Sequence, residues 1–246
     1  MDEQFRNMLK YLRLYALCDK WDEYLKLAAN KRFSHARLLT HIVEEEYRLK
    51  RKNAHQLRLK KARIPEHLVI ETFPFHKQPN LNKKRILALY DCFEYMQKNQ
   101  NIIWLGPTGC GKTGLATSFL MHAIDKGYSG RHIMFTDLVD ELYRSVADHS
   151  EQKLIKRYLL YDCLLIDEIG YVELEPVQVG LFFTLMHKRH KEKTTLITSN
   201  LGFSEWGCFL KNQHLTAALI DRLTETSHII NMKKCRSIRP RLDKKV

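Results

Sequence analysis

No glycine occurs before Gly106 in this 246-residue chain, and the first proline is Pro65. Such a stretch has no residue that favours positive φ and none that breaks a helix. The first 60 residues are therefore expected to be helical. No apolar run approaches the ~20 residues that a helix needs to cross a bilayer, so no membrane partner is expected. The N-terminus, Met1-Asp2-Glu3-Gln4-Phe5, lacks the order of a secretory signal. The six cysteines (Cys18, Cys92, Cys110, Cys163, Cys208, Cys235) form no C-x-x-C pair. That argues against a disulfide framework or a zinc site and fits a reducing cytoplasm. No internal repeat is visible.

Acidic residues are also missing from one place where they would matter. Between Arg48 and Arg63 stand Arg48, Lys50, Arg51, Lys52, Arg58, Lys60, Lys61 and Arg63 with no Asp or Glu. Residues 1–70 hold 16 Lys/Arg against 9 Asp/Glu, residues 71–230 hold 18 of each, and residues 231–246 hold 7 against 1. The net charge of +13 therefore sits at the two ends and the middle is neutral. Basic flanks of this kind are the electrostatic footprint of a polyanion such as DNA. Without identifiable base-reading residues, the expected contact is to the phosphate backbone of a duplex.

With 44% hydrophobic residues, the chain can build a large core and a smaller one. Phe5, Met8, Leu9 and Leu12 recur at helical spacing, Trp21, Tyr24, Leu25 and Ala28 continue it, and Ser34 is placed to cap a helix carrying Leu38, Leu39, Ile42 and Val43. This predicts a small basic all-α module over residues 1–67. Pro65, Pro74 and Pro79 punctuate an extended linker whose Phe73 and Phe75 dock on the second domain. Residues 68–246 are expected to form that domain, whose first helix runs from Asn82 to Gln97.

The chain is organised around Asn101-Ile102-Ile103-Trp104-Leu105-Gly106-Pro107-Thr108-Gly109-Cys110-Gly111-Lys112-Thr113. A strand-like run leads into G-x-x-x-x-G-K-T, the phosphate-binding loop, and a helical pattern comes after it. Glycines let the backbone curl its N–H groups around a phosphate, and the helix start adds its positive end. Lys112 can reach the β- and γ-phosphates, and the Thr113 hydroxyl can ligate Mg²⁺.

Two later runs complete the chemistry. Arg131 to Thr136 reads as a strand, with Asp137 capping the next helix. Cys163-Leu164-Leu165-Ile166 then runs into Asp167-Glu168, as a buried parallel strand delivers carboxylates to its C-terminal edge. Asp167 can hold Mg²⁺ through water, and Glu168 can orient and deprotonate an attacking water. Thr194 to Asn200 is a further strand ending in polar residues, with Asn200 at the same edge. His228 to Met232 reads as a last strand.

These motifs resemble the IstB-like ATPases, helper proteins of insertion-sequence transposition related to the DnaC helicase loader. The resemblance spans residues 5–240. It rests on Phe73-Pro74-Phe75, the phosphate loop, the run from Asp162 to Tyr171, the run from Thr198 to Gly207, and Asp221-Arg222-Leu223. It implies an α/β P-loop AAA+ ATPase core with a small all-α N-terminal domain and no C-terminal lid. ATP would be bound by Gly106, Pro107, Thr108, Gly109, Cys110, Gly111, Lys112, Thr113 and Gly114, and Mg²⁺ by Thr113 and Asp167. Glu168, Asn200 and Arg222 would be catalytic. Arg222 would act as an arginine finger on a neighbouring subunit's nucleotide; the plainer alternative is a surface arginine paired with Asp221. Arg239 is a weaker match to a late basic residue.

The sequence departs from the family at Gly114, where His is frequent, and at Gly202, where Pro is common. Cys110 adds a thiol to the loop, which is expected to make it sensitive to oxidation. The resemblance implies a homo-oligomer that assembles on double-stranded DNA and stimulates an IstA-like transposase. The rival reading within the same ATPase class is a DnaC-like helicase loader acting on single-stranded DNA. A small-molecule kinase and a nucleotide-gated binding protein without hydrolysis are the rivals outside it.

Overall fold

A computed structural model describes residues 1–31, 33–66, 68–170 and 172–239. Tyr171 and the basic residues Arg241, Lys244 and Lys245 lie outside them. Contacts divide the chain into two compact units, Met1–Leu57 and Arg58–Val246. The division falls inside one long helix, whereas the sequence puts the boundary at residues 67 and 68. The helix is unbroken there because it contains no glycine or proline.

The first unit holds α1 (Glu3–Tyr11), α2 (Tyr15–Asp19), α3 (Trp21–Lys31) and most of α4 (His35–Ala62). Asp2 caps α1 through the Phe5 N–H, and Ser34 accepts from the Arg37 N–H at the start of α4. Leu9, Ala16, Cys18 and Tyr24 are buried. Glu46, also buried, accepts from the Leu17 N–H at 2.8 Å and so satisfies a free donor in the first turn of α2. The expected apolar stripe is only partly covered: Met8, Leu12, Leu25, Leu39 and Val43 are exposed.

The second unit is a five-stranded parallel sheet with helices on both faces. Its strands are β1 (Asn101–Leu105), β2 (Gly130–Met134), β3 (Cys163–Ile169), β4 (Thr194–Ser199) and β5 (Ser227–Asn231), in the order β2-β3-β4-β1-β5. β1, β3 and β4 are buried almost throughout, which explains their unbroken apolar runs. Side chains alternate between two cores. Ile102 and Trp104 face one with Leu115, Phe119 and Leu120, while Ile103 and Leu105 face the other with Ile166, Phe135 and Phe182.

The helices are α5 (Lys83–Cys92), α6 (Glu94–Gln97), α7 (Lys112–Asp125), α8 (Phe135–Ala147), α9 (Glu151–Leu159), α10 (Pro176–Arg189), α11 (Trp206–Leu210) and α12 (Gln213–Glu225). Two expectations are corrected. The helix expected from Asn82 to Gln97 breaks at Phe93, which adopts φ 57° so that its ring enters the core. The second strand stops at Met134 and α8 begins at Phe135, so Asp137 lies in the first helical turn instead of capping it.

Arg189, at the end of α10, is 1% exposed. Its guanidinium donates to the carbonyls of Tyr158, Tyr161 and Thr194 and to the Thr195 hydroxyl, tying α9 to the start of β4. Burial pushes its pKa down to about 10, which still leaves it charged at neutral pH. Arg189→Met removes every donor and leaves buried carbonyls unpaired. It is expected to lower the unfolding free energy by about 3 kcal/mol or more in a denaturant titration.

Candidate nucleotide site

The site forms where β1, β3 and β4 end together. Leu105 is paired with Ser199, and Ser199 with Ile169. The phosphate loop, the Asp167–Glu168 pair and Asn200 therefore emerge side by side, at the C-terminal edge of a parallel sheet where ligands bind.

Gly109 and Gly111 both hold positive φ, at 79° and 96°, which turns the loop into α7. The first residue of α7 is Lys112, so the positive end of the helix faces the loop. Lys112 is 5% exposed, and its Nζ donates to the carbonyls of Gly106 (2.7 Å) and Pro107 (2.9 Å) and to Asn200 Oδ1 (2.6 Å). Burial lowers its pKa, and the charge of Arg239 adds to that effect. A polyanion would restore the balance. Asn200 Nδ2 is buried without a hydrogen-bond partner, a donor free to meet an oxygen. These features fit a nucleotide phosphate.

Asp167 is 3% exposed. Thr198 donates to its Oδ1, Thr113 donates to the same oxygen at 3.1 Å, and His132 Nε2 lies 3.3 Å from Oδ2. Burial works to raise the pKa of Asp167, but the bonds from His132, Thr198 and Thr113, with the charge of His132, outweigh it and hold the carboxyl below its ordinary value. An ionised carboxylate bonded to a threonine hydroxyl is a hard oxygen pair that suits Mg²⁺, which takes few protein ligands beside phosphate and water. The residues fit that ion.

Glu168 reaches the pocket through a bulge. β3 and β4 pair at Ile166 with Ile197 and again at Ile169 with Ser199, so β3 carries one extra residue. Glu168 adopts φ 61°, and its N–H donates to Thr198 Oγ1 at 2.9 Å. Thr198 thus serves both acids, as donor to one and acceptor to the other.

One cavity is lined by Thr108, Gly109, Gly111, Lys112, Thr113, Gly114, Glu168 and Asn200. Gly106 and Pro107 contribute only the carbonyls that hold Lys112. Cys110 points into the core, and burial raises its thiol pKa, so the expectation of an oxidation-sensitive loop gives way to a shielded thiol. Arg222 does not line the cavity: it donates to the Ala218 carbonyl and stacks on Phe183 at 4.9 Å. Leu68, Val69 and Phe73 add an apolar wall. Sequence reasoning missed His132 and Thr198 as partners of Asp167. His132 stands in no motif, and Thr198, though it opens a run that carries the resemblance, has nothing beside it to mark a partner on another strand.

The fold and this pocket define a P-loop protein of the AAA+ ATPase class. The chain belongs to the family of the IstB-like ATP binding protein, whose model matches residues 7–245. It is 31% identical to the putative ATP-binding protein of insertion sequence IS5376 from Geobacillus stearothermophilus, over 95% of this chain and 92% of that one. It is 28% identical to the corresponding protein of IS21 from Pseudomonas aeruginosa, over 92% and 85%. Among solved structures, the DnaC helicase loader superposes with a TM-score of 0.52 at 21% identity, over 62% of this chain and 92% of that one. AMPPCP-bound DnaA from Aquifex aeolicus gives 0.56 at 16%, over 72% and 53%. At these identities the two structures speak for the fold alone.

Positive φ is easy for glycine and costs other residues about 1 kcal/mol or more. Glu168→Gly is therefore expected to be more stable than Glu168→Ala by about 1 kcal/mol in chemical denaturation. A depressed carboxyl stabilises above its unfolded pKa of about 3.9, and that contribution is lost as pH falls through the folded value. His132→Phe should accordingly cost about 1 kcal/mol at pH 7, with the gap to wild type closing as Asp167 protonates. A gap that stays constant through the whole titration of Asp167 would show that His132 acts by packing alone.

Proposed function

We propose that this protein binds and hydrolyses ATP and assembles on duplex DNA to recruit and stimulate a transposase. The observation that carries the reading is the meeting of Lys112, Glu168 and Asn200 in one cavity at the end of the sheet. Lys112 and the loop N–H groups hold the β- and γ-phosphates, and the wall of Leu68, Val69 and Phe73 takes the base. Thr113 and Asp167 hold Mg²⁺, which when bound supplies charge neutralisation at the phosphate oxygens. Glu168 orients the attacking water and accepts its proton, and Asn200 keeps that water in line.

Arg222 completes the site from a neighbouring subunit. Its position outside the cavity of its own chain supports a role in trans, which couples hydrolysis to assembly in a homo-oligomer. The Arg48–Arg63 segment supports backbone binding to double-stranded DNA, since most of its basic side chains are exposed on α4. Relatives named for insertion sequences support an IstA-like transposase as partner, and the scattered cysteines fit a cytoplasmic setting. A second reading, a DnaC-like loader of a replicative helicase, is favoured by the exposed Tyr11, Leu39, Val43 and Tyr47 of the N-terminal unit, an apolar surface suited to protein.

Mobility-shift titrations on duplex DNA test the reading. Binding should need ATP and weaken with salt, with a slope of about −0.9 per phosphate contacted in log K against log salt. Lys112→Ala should abolish the ATP effect. Glu168→Gln should trap the complex and slow phosphate release by about 100-fold or more. Binding indifferent to ATP and to both substitutions would sink the ATP-gated model. Capture of a replicative helicase, with a preference for single strands, would select the loader.

A further inference from the structure

A second cavity lies at the edge strand β2. Arg131 of the strand lines it, with Arg63 from just after α4 and Asp137, Asp140, Glu141 and Arg144 from α8. None of these six lines the nucleotide cavity. The alternation of side chains along a strand explains the separation: Ile133, and with it Arg131, turns to the face that α8 covers, while His132 turns to the other and meets Asp167. The volume of the second cavity is about 410 Å³, which leaves room for a small ion with its water.

Arg131 is 8% exposed. Of its five N–H donors one has a partner, the Lys61 carbonyl, 3.3 Å from Nη1. Among the described residues it makes no ion pair, and neither do Arg63 and Arg144. A guanidinium so deeply buried is costly without an anion. The nearby acids do not supply one. Glu141 is taken by Arg157 and by the Tyr158 hydroxyl at 2.7 Å. Asp137 and Asp140, exposed on α8, bond no other side chain among the described residues. The cavity therefore offers unused cationic donors and two unused carboxylate acceptors, a mixture that a bare polyanion cannot satisfy.

Hydrogen phosphate can satisfy it. Its oxygens accept from guanidinium N–H groups, and at neutral pH it keeps an O–H for a carboxylate to accept. Sulfate and a DNA phosphodiester carry no such proton and meet the two aspartates as like charges. We propose that this cavity is a binding site for inorganic phosphate. Arg131 anchors the anion, Arg63 and Arg144 add charge, and Asp137 and Asp140 select a protonated ion. The site stands whether or not the nucleotide reading does. It adds to that reading a place for the anion that hydrolysis releases: His132, which bonds Asp167, also lines the second cavity, so one residue separates the two sites.

The test is isothermal titration calorimetry of the full chain carrying Lys112→Ala, which removes the cation of the phosphate loop. Inorganic phosphate should bind saturably at one site, and sodium sulfate should bind about tenfold more weakly or less. Arg131→Gln should abolish the phosphate signal, and Arg144→Ala should weaken it about tenfold, the size of one charge-assisted contact. Should Arg131→Gln fail to fold, Arg144→Ala carries the test, because that side chain is exposed. Asp137→Ala combined with Asp140→Ala should bring sulfate and phosphate to the same affinity.

Absence of saturable phosphate binding overturns the proposal, as does binding that Arg131→Gln and Arg144→Ala leave unchanged. Equal affinity for sulfate in the chain with both aspartates intact overturns it too, since selection of a protonated ion would then be lost. Displacement of phosphate by a short duplex DNA would make the cavity a contact for the DNA backbone and so overturn the assignment to inorganic phosphate.

Discussion

A carboxylate taken out of water must be compensated on every side, and the arrangement of this site results from doing so for Asp167. Thr113 comes from the start of α7, Thr198 from β4 and His132 from β2. Each lies on a different element, so the charge can be satisfied only when the phosphate-loop helix and three adjacent strands are all in register. An isolated buried carboxylate would protonate instead. The compensation keeps it ionised, and an ionised oxygen beside the Thr113 hydroxyl is what a hard cation needs. Stability and chemistry therefore depend on the same hydrogen bonds, and Thr198 extends them to the backbone of Glu168.

Much of this was legible in the sequence because it is encoded locally. The phosphate loop, the acids at the end of the β3 run and the polar end of β4 are runs of neighbours whose spacing places them at a sheet edge, and each lies at that edge. The lost parts are those that depend on partners far along the chain. The Gln78 amide bonds the backbone of Arg236, 158 residues away, and nothing in a lone glutamine marks it as a fastener. The bulge at Glu168 is a mismatch between two strands and exists only in their pairing. Arg189 reads as one of several basic residues at a helix end, yet it is buried, because the carbonyls it satisfies come from two other elements. The break at Phe93 was hidden for a similar reason: a good helical pattern yielded to the burial of one ring.

The N-terminal unit shows the opposite balance. Its helical content comes directly from the absence of glycine and proline. Which faces it covers does not, since several apolar side chains that fit a helical stripe are left open to solvent. A periodic pattern states that a face is apolar and leaves open whether the chain itself buries it.

The pairing of β1 with both β4 and β5 has a consequence for how the protein comes into being. Asn101 lies opposite Ser227, and among the described residues β5 is the only partner of β1 on that side. On a ribosome, the strand that carries the phosphate loop must wait with one edge bare until residue 231 has left the exit tunnel. β2 and β3, on the far side of β4, can pair with each other much sooner. Closure of so non-local a contact is slow compared with local helix formation. A nascent chain would therefore hold a partly assembled sheet until β5 has emerged and gain the complete phosphate-loop strand environment only then, so a translation product interrupted before β5 would lack the finished site.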